Sequence, residues 1–289
     1  MSEDEILEGA KEVPPEVEVD PAIFREPGRV AIGVDVGGSG IKAAAVDVRH
    51  GRLVSHRIRV ATPSPSTPAA VIDSIGRVAR RVERTIGGVR LPVGVGVPCV
   101  VLEGRTKSAE NVDPGWIDYP AQEHLERRLA RPVAVLNDAD AAGLAEMRFG
   151  AGVGHRGVVL VLTLGTGTGS ALFVDGRLVP NTELGQMEIR GRTAERRSAA
   201  AARIRRGLSW KAWAADLEEH LQAIDRILWP DFLIVGGGVS KNADKFLPRL
   251  TIRPPIVAAK LRNEAGIVGA AMHAIETVGD PGGERSTGS

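Results

Sequence analysis

With a single cysteine, Cys99, the 289-residue chain can form no internal disulfide and supplies no cysteine-rich zinc site. It also lacks any apolar run near the roughly 20 residues that a spanning helix needs. Its first residues are acidic, unlike a basic-then-apolar leader. These absences predict a cytoplasmic protein with no membrane partner. Net charge is nearly absent too, at +1, which removes the general electrostatic reason to expect a nucleic-acid partner. What remains, 43% hydrophobic and 25% charged, is ordinary for a globular protein, and the length predicts about two domains.

Against that plain background stand two glycine-rich hairpins of one design. The first turns at Gly37-Gly38-Ser39-Gly40, between apolar runs, and closes on Asp47. The second turns at Gly165-Thr166-Gly167-Thr168-Gly169 and closes on Asp175. Glycines beside a hydroxyl let backbone N–H groups approach and cradle phosphate oxygens. Three alternating glycines are more than a tight hairpin requires. One such turn is weak evidence. A pair, one per half, predicts a duplicated architecture that clamps a nucleotide or polyphosphate in a cleft between the halves.

Residues 1–28 are acidic, carry four prolines and read as a flexible extension. Strands follow at 29–36, 41–48 and 53–60. Thr67 caps and Pro68 starts a helix whose apolar face is Val71, Ile75, Val78, Val82 and Ile86. Short apolar runs at 92–97 and 132–136 read as buried parallel strands. In the second half, strands at 158–164 and 170–174 flank the glycine turn. Helices are expected at 194–206 and 209–228, the latter capped by Ser209. A strand at 231–235 enters Gly236-Gly237-Gly238, and a helix begins over 240–247. A last helix, 263–276, packs back on the first half, and the tail from 278 reads as disordered. The fold class is α/β, with a small lobe at 29–136, a large lobe at 137–262, the returning helix at 263–277 and a tail at 278–289.

Several residues stand where chemistry is done. Asp35 ends a strand just before the first turn, where it can hold Mg²⁺ beside phosphates or simply accept turn N–H bonds. Asn137-Asp138 lies where a strand gives way to a helix, the edge at which α/β sheets gather ligands. Both can bond sugar hydroxyls, and Asp138, with a reference pKa of about 3.9, is expected to be ionised at pH 7 and able to take a proton. The rival reading is a plain helix cap over 138–148. Asp140 is expected to be a first-turn carboxylate and no more. Gly237 and Gly238 let a base or phosphate lie against backbone. Asn111, Glu183 and Glu195, each taken alone, read as loop or surface residues. Arg196, Arg197, Arg203, Arg205 and Arg206 form a solvated face, or a phosphate track if the substrate is a polyanion, as do Lys241 and Lys245.

Together these residues resemble the ROK family of repressors and sugar kinases, within the two-lobed actin-like, ribonuclease H-like ATPase superfamily. The resemblance runs through 32–42, 137–146, 162–170, 208–210, 233–250 and above all 261–271, which is similar to the polyphosphate glucokinase and glucomannokinase branch. It implies phosphoryl transfer from polyphosphate, ATP or both to the 6-hydroxyl of glucose, with Asp138 as base and Mg²⁺ at Asp35. It implies sugar contacts from Asn111, Asn137, Asp138, Glu183 and Glu195. Phosphate contacts are implied from Gly37, Gly38, Ser39, Gly40, Lys42, Gly165, Thr166, Gly167, Gly237 and Gly238, and a homodimer is implied as the assembly.

The chain departs from the family at four places. It has no cysteines for the family's structural zinc, and Gln186 stands at the sugar-contacting histidine. Cys99 replaces a glycine, at a cost of about 1–2 kcal/mol if that position needs positive φ. Residues 221–225 lack the histidine of the glucokinase helix, which bears on donor choice. The alternatives are a strictly ATP-dependent kinase and a weakened paralogue that senses sugar. A repressor would need a helix-turn-helix of roughly 60 residues before the first strand, against 28 here.

Overall fold

Each half of the chain starts from an antiparallel hairpin, and parallel strands are then added beside the hairpin's first strand. The computed structural model describes residues 20–278. In the first half β1 (Val30–Gly37) pairs with β2 (Gly40–Asp47), and β3 (Arg52–Leu53) and β4 (Ile58–Val60) both pair with β2. The one strand expected over 53–60 is therefore two. Ser55 Oγ accepts the Ala45 N–H at 2.9 Å, so a side chain replaces a ladder bond and the strand breaks there. Next come α1 (Pro68–Thr85), β5 (Val93–Val97), the small hairpin β6 (Val101–Leu102) with β7 (Arg105–Thr106), α2 (Ala121–Leu129) and β8 (Val133–Asn137). Thr67 caps α1 as expected. Helix α2 was not expected, although its buried stripe of Ala121, Leu125 and Leu129 is helical in spacing. Both β5 and β8 run parallel to β1, giving the order β3-β2-β1-β5-β8.

Helix α3 (Asp138–Phe149) then leads into the second half. There β9 (Val158–Leu164), β10 (Thr168–Val174) and β11 (Arg177–Val179) are antiparallel. They are followed by a two-stranded ribbon, β12 (Glu188–Ile189) with β13 (Arg192–Thr193). Helices α4 (Glu195–Ser198), α5 (Ala200–Arg205) and α6 (Trp210–Leu228) come next. Strands β14 (Phe232–Gly236) and β15 (Ile256–Ala258) add in parallel, and α7 (Ala265–Val278) ends the described chain. The second sheet reads β11-β10-β9-β14-β15, the same hairpin-plus-parallel plan as the first.

Three expected elements differ. The single helix over 194–206 is split because Ala199 is extended (φ −62°, ψ 151°). Its carbonyl there accepts the buried Trp213 indole N–H at 3.2 Å. The helix expected from 240 is 3₁₀ over Gly238–Lys245, with Asn242 outside helical geometry. Of the acidic extension, the described part from Asp20 forms a 3₁₀ turn whose Ile23 is buried in the first core. The rest of that extension (1–19) and the tail from 279 lie outside the described residues.

Period-two alternation sets the layers. Leu160, Leu162 and Leu164 face α6 residues such as Trp213 and Leu217, while Val159 and Val161 pack with Leu144 and Met147 of α3. Helix α1 covers the outer face of the first sheet, and α3 and α7 lie between the two sheets. That inner layer depends on very close backbone approach. A Cβ on Gly269 of α7 would sit 1.7 Å from the Ala141 carbonyl oxygen, and one on Gly33 would sit 1.8 Å from that of Ile267. The chain entering α7 is fixed by buried Glu146 of α3, which accepts N–H bonds from Ala151 (2.8 Å), Lys260 (3.1 Å) and Leu261 (2.7 Å).

Candidate active site

The two glycine turns meet across the gap between the sheets. A Cβ on Gly38 would lie 3.0 Å from Thr166 Oγ1, so glycine there lets the two turns approach without displacing the threonine side chain. Between them opens a cleft of about 440 Å³. Gly37, Gly38, Ser39 and Lys42 line it from the first hairpin, and Gly165, Thr166 and Gly167 from the second. Gly237, at φ 78°, and Gly238 line it from the end of β14. Gly40 is the exception. It lies outside the lining and packs on the Arg59 guanidinium, whose Nη2 donates to the Ser39 carbonyl at 2.9 Å. Its role is to admit the arginine that braces the turn from behind. Asp35 faces the cleft and pairs with Lys42 Nζ at 2.8 Å.

Asn137, Asp138, Asn111, Glu183, Gln186 and Glu195 all line the same cleft. Residues that look ordinary one at a time are brought together by the fold. Asn137 is the α3 cap: its Oδ1 accepts from Ala139 N (2.8 Å) and Asp140 N (3.1 Å). Its Nδ2 donates to the Cys99 carbonyl at 3.2 Å. The cap reading and the cleft reading are therefore both true of this residue. Glu195 Oε2 accepts the Thr168 N–H at 3.0 Å, which ties α4 to the second turn. A Cβ on Gly167 would meet Glu195 Oε2 at 2.5 Å and Asn111 Nδ2 at 2.7 Å, so those two side chains converge there.

This crowd of carboxylates changes the charge picture. Burial, then Asp35, pushes the Asp138 carboxyl up to about 8, with Glu183 and Asp140 adding to it and the Ala139 N–H opposing. The expectation of an Asp138 ionised at pH 7 with no large shift is corrected accordingly. Burial, followed by Asp140, Glu195 and Glu110, pushes Glu183 up to about 7. Asp140 is also more than a first-turn carboxylate. It is 2% exposed, pushed by burial to about 6, and accepts the Asn181 N–H at 2.8 Å.

Cys99 is not among the residues at positive φ, so replacing the family's glycine carries no backbone strain. Burial raises its thiol to about 12. The proposed arginine track is largely committed elsewhere. Arg197 pairs with Asp216 and Glu219, Arg206 with Asp216, Arg203 stacks 3.9 Å over Trp210, and Arg205 donates to the Arg196 carbonyl. None of the five lines the cleft, and neither do Lys241 and Lys245. Lining residues not singled out from the sequence include Ser108, Glu110, Arg262 and Asn263. Arg262 is a non-glycine residue at φ 51°, within the segment most similar to one branch of the family.

A family model described as "ROK family" matches residues 31–193. The chain is 46% identical over 248 residues to the polyphosphate glucokinase of Mycobacterium tuberculosis, covering 86% of this chain and 92% of that protein. The inorganic polyphosphate/ATP-glucomannokinase of Arthrobacter sp. strain KM superposes with a TM-score of 0.82 at 48% identity, covering 86% of this chain and 97% of that one. A ROK family glucokinase from Streptomyces griseus, solved with glucose and AMPPNP, superposes at 0.74 with 27% identity, over 84% of this chain and 98% of its own.

Proposed function

We propose, on the premise that the chain belongs to the ROK family, that it transfers the terminal phosphoryl group of inorganic polyphosphate or ATP to the 6-hydroxyl of glucose. The observation that carries this reading is one cleft lined by both phosphate turns and by Asp138, Glu183 and Glu195. Similarity to the mycobacterial polyphosphate glucokinase and the Arthrobacter glucomannokinase supports the choice of donors and acceptor. Phosphoryl transfer has a loose transition state, so the protein's work is positioning and charge neutralisation. Amides of the two turns hold donor oxygens. Lys42 brings a positive charge beside Asp35. Asp138 accepts the proton of the attacking hydroxyl, and its raised basicity strengthens it for that task. Asn111, Asn137, Glu183, Gln186 and Glu195 orient the sugar.

Mg²⁺ fits the donor set. Among the described residues no group of three or more His, Cys, Asp or Glu could hold a metal ion. Mg²⁺ bound with phosphates needs only one or two carboxylates, and Asp35 offers one beside the first turn. A Cβ on Gly266 would fall 3.0 Å from Asp35 Oδ1, so glycine there keeps that oxygen free of a neighbouring side chain. When bound, the ion would neutralise charge on donor oxygens. Cytoplasmic residence and a homodimeric state belong to the same reading. Among the described residues no helix is long and apolar enough to cross a membrane, and sedimentation velocity tests the dimer.

A coupled assay for glucose 6-phosphate, run with polyphosphate and with ATP and repeated with mannose as acceptor, tests the function. Turnover of glucose with at least one donor is expected. No turnover of either hexose with either donor overturns the proposal.

A further inference from the structure

The sugar half of the cleft is assembled from both lobes, and the Asn181 side chain is one of the groups that join them. Asn181 lies two residues before Glu183. Its Oδ1 accepts the Val101 N–H at 2.9 Å, and its Nδ2 donates to the Val101 carbonyl at 2.9 Å. This amide thus pairs with both backbone groups of a residue 80 positions earlier, in the other lobe. Val101 follows the cleft-lining Pro98. The same segment is tied a second time, by Asn137 Nδ2 on the Cys99 carbonyl. Asn181 is held in the left-handed region at φ 58°, a conformation asparagine tolerates better than most residues. Its own N–H is taken by Asp140 Oδ2 at 2.8 Å.

Asp140 is an expensive way to hold that N–H. It is 2% exposed, and its Oδ1 has no hydrogen-bond partner among the described residues. An amide oxygen would accept the same bond without a buried charge. The carboxylate adds to the field on its neighbours Asp138 and Glu183, within a cluster that also holds Asp35, Glu110, Glu195 and the Lys42 ammonium.

We propose that Asn181, anchored by Asp140, is an interlobe clip that fixes the Glu183 loop against the Pro98–Val101 segment and so positions the acceptor sugar. The clip rests on the kinase reading above. Neither residue lines the cleft, so both are positioning residues. The negative charge of Asp140 has a second consequence, which is to keep the base and Glu183 more basic than the clip alone would.

Asn181→Ala and Asp140→Ala are expected to raise KM for glucose about ten- to a hundredfold while leaving KM for the donor unchanged. Asp140→Asn keeps an oxygen for the Asn181 N–H and is expected to keep KM for glucose. Its acid limb of kcat/KM should move to lower pH, which a merely structural role would not produce. Equal changes in both KM values, no change in either, or an unmoved acid limb in Asp140→Asn overturn the proposal. If the alanine variants fail to fold, hydrogen exchange in the wild type decides. The Val101 and Asn181 amides are expected to exchange far more slowly than that of Glu103 in the exposed turn of the same hairpin, and fast exchange at both overturns the clip. Exchange needs no turnover, so an inactive wild type would count against the kinase reading and not against the clip.

Discussion

Lys42 and Asp35 face each other as register partners across the first hairpin, and the ammonium lies 2.8 Å from the carboxylate oxygen at the lip of the cleft. The pair places a positive charge beside the turn proposed to meet the donor. Truncation in Lys42→Met removes a charge-assisted contact of about 1.5–3 kcal/mol, a factor of roughly 10–100. Steady-state kinetics with varied donor should show that loss in kcat/KM for polyphosphate and ATP. Glucose binding, followed by tryptophan fluorescence, should stay within about twofold.

The pH dependence follows from the sign of the Asp138 shift. As the proposed base, Asp138 would work in its ionised form, and burial followed by Asp35 pushes its carboxyl up to about 8, far above an ordinary aspartate. Lowering the pH through about 8 therefore protonates the base and removes activity, whereas an unperturbed aspartate would hold full activity down to about pH 5. A kcat/KM profile from pH 5 to 10 is expected to rise through pH 7–8. A flat profile over pH 5–8 contradicts the assignment.

Glu146 predicts a stability effect remote from the chemistry. Its carboxylate, 1% exposed, accepts three backbone N–H groups from Ala151, Lys260 and Leu261. Glu146→Ala leaves one buried donor, at Ala151, and two part-buried donors, at Lys260 and Leu261, without their acceptor, at a cost of about 3 kcal/mol. Thermal unfolding should then fall by about 6–12 °C for a chain of this size.

The single thiol is predicted to be inert. Cys99 is 2% exposed, and burial aided by Asp138 and Glu183 raises it to about 12, leaving almost no thiolate at pH 8. Iodoacetamide should label the unfolded protein stoichiometrically and leave the native protein unlabelled over the same interval.

What the sequence reveals and what it hides divide along physical lines. The hairpins were legible because alternation and glycine turns are local patterns, and the register of β1–β2 and β9–β10 closes on those turns. Asp138 was legible because strand, cap and helix follow one another at Asn137. Asp140, Asn181 and Glu146 were not. Their partners are backbone amides and carbonyls 41, 80 and up to 115 residues away, and a backbone group carries no signature in sequence. The raised Asp138 carboxyl was hidden for the same reason, since it comes first from burial and then from Asp35 and other carboxylates that only the fold assembles. Arg197 and Arg206 read as free cations because Asp216 lies on a different helix.

Turnover of glucose by the wild type and by Asp138→Asn, measured side by side at pH 8.5 with saturating polyphosphate, addresses the central claim. Loss of a positioned base is expected to lower kcat about 10²- to 10⁴-fold with KM for glucose little changed. A substituted enzyme as fast as the wild type would contradict Asp138 as the base.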